Sequence, residues 1–253
     1  MKLHKLYGDE PFLDDVQVVQ GALADAGFPA PHPLERRGVV TWEEWLDDGA
    51  FRDAHEPAVR RVLAETLARF VALASACGTR PRRPFFPQSG GALWPKPHNA
   101  LFDFEATAEG AEWIDDIARA AKAARDAPAG REVVGHTDWA VKHFRFDDAL
   151  RPLVLYDWDS LNTDSEPRIV GSAMASFTYT EEVEVASLWP RPEESLAFLA
   201  EYEEARGAPF DDAERRSAHG AAVYLGAYAA RCGWAYSRSV NRPALEALVD
   251  ALL

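Results

Sequence analysis

Residues 135–146 read GHTDWAVKHFRF and residues 155–159 read LYDWD. The first stretch ends in alternating apolar and polar residues, residues 147–152 are rich in turn formers, and a short apolar run follows them. This pattern predicts a β-hairpin. Because the loops before and after a hairpin lie at the same edge, we expect Asp138 and Asp157 to lie close together, although they are far apart in the sequence.

Two neighbouring carboxylates suit chemistry on a phosphate group. An aspartate beside an acceptor hydroxyl can take up its proton, and a second aspartate can hold the Mg²⁺ that bridges phosphate oxygens. The alternative interpretation is that Asp138 and Asp157 are solvated turn residues. The pattern of residues around them favours the first interpretation.

The order His136-x-Asp138, hairpin, Asp157-Trp158-Asp159 resembles the Brenner-type motif of the aminoglycoside phosphotransferase and choline kinase-like family. That motif reads His-Gly-Asp-Leu-His-x-x-Asn, an apolar strand, and Ile-Asp-Trp-Glu. The resemblance matches Asp138 to the catalytic aspartate and Asp157 to the metal aspartate. It implies an α+β, protein kinase-like two-lobe fold. It also implies that the protein uses Mg²⁺ and, as co-substrate, ATP, whose γ-phosphate is transferred to a hydroxyl of a small-molecule acceptor.

One residue departs from the motif: His143 stands where the family has its metal-binding asparagine. An asparagine offers Mg²⁺ a hard carbonyl oxygen, whereas an imidazole nitrogen is better suited to zinc, iron or manganese. We therefore weigh two interpretations of His143, as a metal ligand and as a side chain that hydrogen-bonds within its loop. For His136 we expect a role in orienting the loop backbone.

The resemblance also divides the chain into a reduced amino-terminal lobe, residues 1–46, and a mostly helical lobe with the catalytic hairpin, residues 47–253. The chain starts after the glycine-rich hairpin that covers the nucleotide phosphates in the family. Lys5 stands where the phosphate-binding lysine of the third strand would be, the alternative being a solvated charge. Residues 41–46 match the hinge that binds the adenine edge, so Glu43 and Trp45 are candidate nucleotide contacts.

Outside this motif the sequence predicts mostly helices. Apolar residues at three- and four-residue spacing predict a long core helix over residues 56–76. The polar stretch 160–168 is predicted to be irregular, and the family's bracing aspartate is absent because Val170-Gly171 occupies its place. The other predicted helices are 12–26, 109–126, 169–180, 192–206, 213–234 and 243–253, and the predicted strands of the first lobe are 3–7, 32–36 and 39–45.

Composition narrows the function classes. The formal net charge of −14 argues against nucleic acid as a partner, since phosphate backbones are bound by clustered lysine and arginine. An acidic protein favours cationic ligands, which fits an aminoglycoside or choline-like acceptor. Two cysteines form neither a disulfide scaffold nor a zinc ribbon. Without a signal peptide or a bilayer-spanning stretch, the protein is expected in the cytoplasm, away from membranes.

Two other functions stay open at this point. The missing glycine-rich hairpin, His143 and the absent brace are typical of a pseudokinase-like binding protein that has lost efficient transfer. A metal-dependent hydrolase would instead use His136, Asp138, His143 and Asp157 as ligands, since these residue types suit zinc or manganese. The sequence does not identify the acceptor or the oligomeric state.

Overall fold

The computed structural model describes residues 1–4, 10–83, 91–99 and 101–253. A small sheet and one helix come first. Strand β1 (Lys2–Leu3) pairs antiparallel with β3 (Val40–Glu43), and β3 pairs antiparallel with β2 (Pro33–Arg37), so that the sheet order is β1-β3-β2. Helix α1 (Glu10–Asp25) follows β1 and is succeeded by Gly27, whose φ of 71° suits glycine after a helix end. We call this sheet with α1 the small lobe.

The rest of the described chain is dominated by helices. The predicted core helix is α2 (Pro57–Ala74), and its apolar stripe of Val59, Leu63, Leu67, Phe70 and Val71 is buried. Helix α6 packs against both α3 and α4, and α5 packs against α2. The bounds of the other helices are α3 (Glu112–Asp126), α4 (Glu166–Ser176), α5 (Pro192–Arg206), α6 (Asp212–Ser237) and α7 (Arg242–Leu252).

The motif around Asp138 and Asp157 lies on two antiparallel strand pairs. Strands β5 (Phe144–Phe146) and β6 (Pro152–Leu155) form the predicted hairpin, with Phe144 opposite Leu155. Strands β4 (Glu132–His136) and β7 (Leu161–Ser165) form a second pair, with His136 opposite Leu161. The irregular stretch expected over residues 160–168 was therefore wrong, because a strand crosses it and α4 begins at Glu166.

Aromatic side chains fix the loops that follow β4 and β6. Trp139 is fully buried, and its ring meets Phe70 and Phe144 edge-on at centroid distances of 5.8 and 5.0 Å. Trp158 packs against Phe28 and Phe70. Edge-to-face pairs of this kind add to the stabilisation that comes from burial. The residues that flank Asp138 and Asp157 are therefore anchored in one aromatic core.

None of the helices in the described ranges has the length and apolar character needed to cross a membrane. The α+β, kinase-like class with a small β-lobe is confirmed by the structure and by the comparisons given below. The lobe boundary near residue 46 stays a prediction.

Candidate active site

The structure brings Asp138, His143 and Asp157 together. Asp138 follows β4, His143 precedes β5 and Asp157 follows β6, so strand pairing carries all three to one edge. One ligand atom from each of the three side chains lies within 4.8 Å of the others. This is the convergence that the hairpin pattern predicted, and His143, the uncertain member, belongs to it.

Asp138 is held as a carboxylate. His143 Nε2 donates to Asp138 Oδ2 at 2.9 Å, and Lys142 Nζ lies 3.8 Å from the same oxygen. Burial raises the pKa of Asp138, but the hydrogen bond from His143 and the nearby positive charge outweigh it, so that the pKa falls to about 2. At neutral pH this side chain is an acceptor only, as a residue that orients a hydroxyl must be.

Asp157 is bound by two donors. Ser160 Oγ donates to its Oδ2 at 2.6 Å, and Lys2 Nζ donates to its Oδ1 at 2.6 Å. Burial disfavours its charged form, yet the charges of Lys2 and His143 and these hydrogen bonds hold the pKa well below its ordinary value. The metal aspartate predicted from the sequence is thus already neutralised by a lysine.

That lysine is the residue that the sequence analysis missed. Lys2 lies in β1 opposite Thr41 and also binds Asp159, while His4 Nδ1 lies 3.2 Å from Asp159 Oδ2. Residues two apart in a strand point to the same face. The alternation of Lys2 and His4 was a signal that could have found them. Lys5, the lysine predicted to touch the nucleotide, lies outside the described residues.

His136 has a different environment. It is fully buried, and its Nε2 donates to the Tyr156 carbonyl at 3.3 Å. Burial lowers the pKa of His136 to about 4, so the ring is neutral at physiological pH. It joins the loop after β4 to the hairpin, as expected for an orienting residue, and it is not part of the ligand cluster.

The predicted hinge lies beside the hairpin. Tyr156 Oη accepts from Leu46 N at 2.9 Å and donates to Leu46 O at 2.7 Å. The Trp45 ring, 76% exposed, lies with its centroid 6.2 Å from that of Tyr156. Glu43 accepts a hydrogen bond from Gln20 at 2.7 Å, and burial raises the pKa of its carboxyl. Trp45 thus presents an uncovered aromatic face, whereas Glu43 is already engaged.

A cavity of about 700 Å³ opens beside Asp138. Helices α4 and α6 form its walls, and residues 95–98 form part of its rim. Its size is that of a small-molecule site.

Comparison with known proteins gives the fold a name. No family model and no curated protein matches the chain. Among solved structures, an aminoglycoside-3'-phosphotransferase of type VIII aligns over 85% of this chain and 80% of its own, with a TM-score of 0.55 and 19% identity. The amicoumacin kinase hAmiN, solved with AMP-PNP, Ca²⁺ and Ami, aligns over 96% and 76%, with a TM-score of 0.62 and 8% identity. Choline kinase LicA from Streptococcus pneumoniae aligns over 94% and 82%, with a TM-score of 0.54 and 13% identity.

The chain has the fold of the aminoglycoside phosphotransferases and choline kinases. The resemblance read from the motif around Asp138 and Asp157 is thereby confirmed at the level of the fold.

Within this kinase-like fold, the ligand cluster suits a divalent cation. Two carboxylates supply the hard oxygen donors that Mg²⁺ prefers, and the imidazole of His143 adds a nitrogen donor that Mn²⁺ and Zn²⁺ accept more readily. The donor set therefore fits a divalent metal without selecting strongly for magnesium. Lys2 must leave Asp157 for a cation to bind there with both carboxylates.

The bracing aspartate of the kinase-like family has a structural substitute. Val170 is fully buried, and a Cβ on Gly171 would lie 2.1 Å from the carbonyl oxygen of Ala218, so the α4–α6 contact occupies this place. The loop after β4 is instead held by backbone bonds, from Val141 N to Phe177 O at 3.0 Å and from Lys142 N to Tyr179 O at 3.3 Å. The loop is braced by the segment that follows α4.

Proposed function

We propose that this protein is a small-molecule kinase that transfers the γ-phosphoryl group of ATP to a hydroxyl group. The observation that carries the proposal is the convergence of ligand atoms of Asp138, His143 and Asp157 within 4.8 Å, beside a cavity that Asp138 lines. The kinase-like fold supports it. Phosphoryl transfer needs positioning and charge neutralisation more than covalent chemistry, and these residues provide both.

Each residue has a role in this proposal. Asp138 orients the acceptor hydroxyl and receives its proton while the new O–P bond forms and the bond to the β,γ-bridging oxygen breaks, which releases ADP. Asp157 and His143 hold the divalent cation, expected to be Mg²⁺, which would neutralise charge on the phosphate oxygens. Lys2, once displaced from Asp157, is placed to bind a phosphate. Glu43, Trp45 and Lys5 stay predictions as nucleotide contacts, and the cytoplasmic location stays a prediction as well.

The proposal is tested with Asp138→Asn, which keeps the shape of the side chain and removes its charge. We expect phosphate transfer to an identified acceptor to fall by about 10²-fold or more, while binding of Mg²⁺ and AMP-PNP is retained. Arg61→Gln, which breaks an exposed ion pair with Glu204 away from the cavity, is the control for general damage. Transfer by Asp138→Asn at the wild-type rate would show that this aspartate has no part in the reaction.

A second candidate, a binding protein without efficient transfer, is favoured by one observation. Lys2 neutralises Asp157, and the space enclosed between these residues and the small lobe is only about 20 Å³. A thermal-shift titration with Mg²⁺ and ATP separates the two candidates, since a ligand that binds the native state must raise its apparent stability. Stabilisation by cavity ligands but not by the nucleotide would favour the binding protein.

A further inference from the structure

The cavity beside Asp138 is lined by more positive than negative side chains. Two acidic residues, Asp138 and Asp164, face it, against five basic residues, namely Arg83, Lys96, Arg125, Lys142 and Arg168. The chain as a whole carries a formal net charge of −14. The cavity therefore has the opposite charge balance to the protein that contains it.

Arg168 and Asp138 lie at opposite ends of the cavity. Its wall follows α4 from Arg168 in the first turn to Ser176 in the last, which is about 12 Å at 1.5 Å per residue. Asp138 lies at the far end, because its loop is bonded to Phe177 and Tyr179. Arg168 thus marks the end of the cavity that is remote from the ligand cluster.

The buried side chain of Arg125 forms part of the cavity wall at this remote end. Arg125 is 6% exposed, and its Cζ lies 4.1 Å from the centroid of the Tyr224 ring. Its Nε donates to Asp126 Oδ1 at 2.8 Å. Arg125 and Arg168 thus place two guanidinium groups in this part of the cavity wall.

Arg168 adjoins Arg125. Its Nε donates to the carbonyl oxygen of Arg125 at 2.9 Å, and its Nη1 donates to Asp164 Oδ1 at 3.0 Å. Asp126 also binds Lys122. The ion pairs at this end of the cavity join the cations Lys122, Arg125 and Arg168 to the carboxylates Asp126 and Asp164.

We infer that the acceptor is an elongated molecule with a hydroxyl at one end and an anionic group, a carboxylate or a phosphate, at the other. The inference rests on the proposed function, since the hydroxyl is placed at Asp138 and the anion at Arg125 and Arg168. Either anion is attracted by the positive charge of the two guanidinium groups. The cationic acceptor expected from the net charge of the chain would meet like charges at this end.

The middle of the cavity specifies the body of the acceptor. Apart from its charged residues the wall is mainly apolar and aromatic, and includes Ile169, Ala221, Tyr224, Leu225 and Tyr228. Tyr224 and Tyr228 are one helical turn apart on α6 and so lie on the same face. An aromatic or aliphatic body between hydroxyl and anion fits this wall.

The test compares rigid probes of one shape and different charge. These are 4'-(hydroxymethyl)biphenyl-4-carboxylate, the corresponding 4-phosphonate, and the corresponding 4-aminomethyl compound, which is cationic. Binding is measured by calorimetry without nucleotide and again with Mg²⁺ and AMP-PNP. We expect at least one of the two anions to bind about tenfold or more tightly than the amine, and the tighter anion identifies the group for which the site is built. A shorter compound, 4-(hydroxymethyl)benzoate, cannot span the cavity and should bind more weakly than the biphenyl acid.

Variants test the placement of the anion. Arg168→Gln should weaken anion binding about tenfold and leave amine binding unchanged. Arg168→Lys keeps the positive charge but not the planar guanidinium, so its affinity for the anion should lie between those of wild type and Arg168→Gln. Arg61→Gln, which breaks an exposed ion pair with Glu204, is the matched control. An amine that binds as tightly as both anions overturns the inference and leaves the kinase proposal intact. Anion binding without phosphate transfer to any probe supports the charge assignment and counts against the kinase.

Discussion

Asp157 has a backbone conformation that few residues other than glycine adopt. Its φ of 67° and ψ of 43° place it in the left-handed region, where aspartate and asparagine are the least disfavoured side-chain-bearing residues. This conformation turns the chain immediately after β6 and presents the carboxylate to Lys2 and Ser160. Local strain of this kind persists where the surrounding structure enforces it, often at functional sites. Asp157→Asn is therefore the substitution that removes the charge and keeps the turn.

His143 should decide which metal supports activity. Restoring the oxygen donor with His143→Asn should raise activity with Mg²⁺ relative to activity with Mn²⁺, because a hard amide oxygen replaces an imidazole nitrogen. We expect the Mn²⁺-to-Mg²⁺ activity ratio to fall by about tenfold, measured as kcat/KM for ATP with each metal. Asp157→Asn, which removes a ligand that both metals use, is the comparison and should lower both activities. An unchanged ratio in His143→Asn would mean that His143 acts only as a hydrogen-bond donor to Asp138.

The buried ring of His136 makes stability depend on pH. Its folded pKa of about 4 lies below the ordinary value of 6.5, so the unfolded chain binds a proton that the folded chain does not. The free energy of unfolding should therefore fall as the pH is lowered from about 6.5 to 4, by about 3 kcal/mol from this group alone. Urea unfolding across that range checks this. His136→Gln retains a donor toward Tyr156 but does not titrate, so the wild-type advantage over it should shrink with falling pH; a constant difference would contradict the assignment.

At the scale of elements, the sequence predicted the strands whose alternation is visible and missed those whose buried residues are polar. Phe144 and Phe146 are buried on either side of a half-exposed Arg145, which is the pattern that indicates a half-buried strand. Strand β7 instead buries Asn162 and Thr163, and the Asn162 carboxamide accepts from the Arg83 backbone at 2.9 Å. Buried polar residues leave no trace in hydrophobic periodicity, so the sequence predicted an irregular segment where β7 lies.

The contact between α4 and α6 requires glycine at position 171. A Cβ there would lie 2.1 Å from the Ala218 carbonyl oxygen and 2.7 Å from the Ala221 Cβ, so the two helices would have to separate. Gly171→Ala should lower the free energy of unfolding by about 3 kcal/mol, as overpacking of a tight core does. The control is Gly21→Ala in α1, where the new Cβ would meet only Pro33 at 3.5 Å and helix propensity improves. Chemical denaturation of both variants should give opposite signs, and equal effects would argue against close packing at Gly171.

At the scale of the whole molecule, the residues whose convergence was predicted belong to one continuous motif, and those that were missed come from remote segments. Asp138, His143 and Asp157 flank one hairpin, so local pattern and strand pairing are enough to bring them together. Lys2 reaches the site from the other lobe, and Arg125 reaches the cavity from α3. The net charge of the chain is a poor guide to the charge of the acceptor for the same reason. It is a sum over all residues and carries no information on which side chains line a cavity.

Lys2 links the small lobe to Asp157, the proposed metal ligand, and this should make it a competitor of the cation. Burial lowers the pKa of Lys2, but the charges of Asp157 and Asp159 outweigh it and raise the pKa, so the amine stays charged and bound. Without nucleotide, a metal must displace it. Lys2→Gln should therefore bind Mn²⁺ about tenfold more tightly than wild type in the absence of nucleotide, by calorimetry. In turnover the same variant should show a raised KM for ATP, since the displaced amine no longer meets a phosphate. Arg61→Gln removes one positive charge elsewhere and should change neither quantity, and an unaltered Mn²⁺ affinity in Lys2→Gln would mean that the ion pair between the lobes does not guard the cation site.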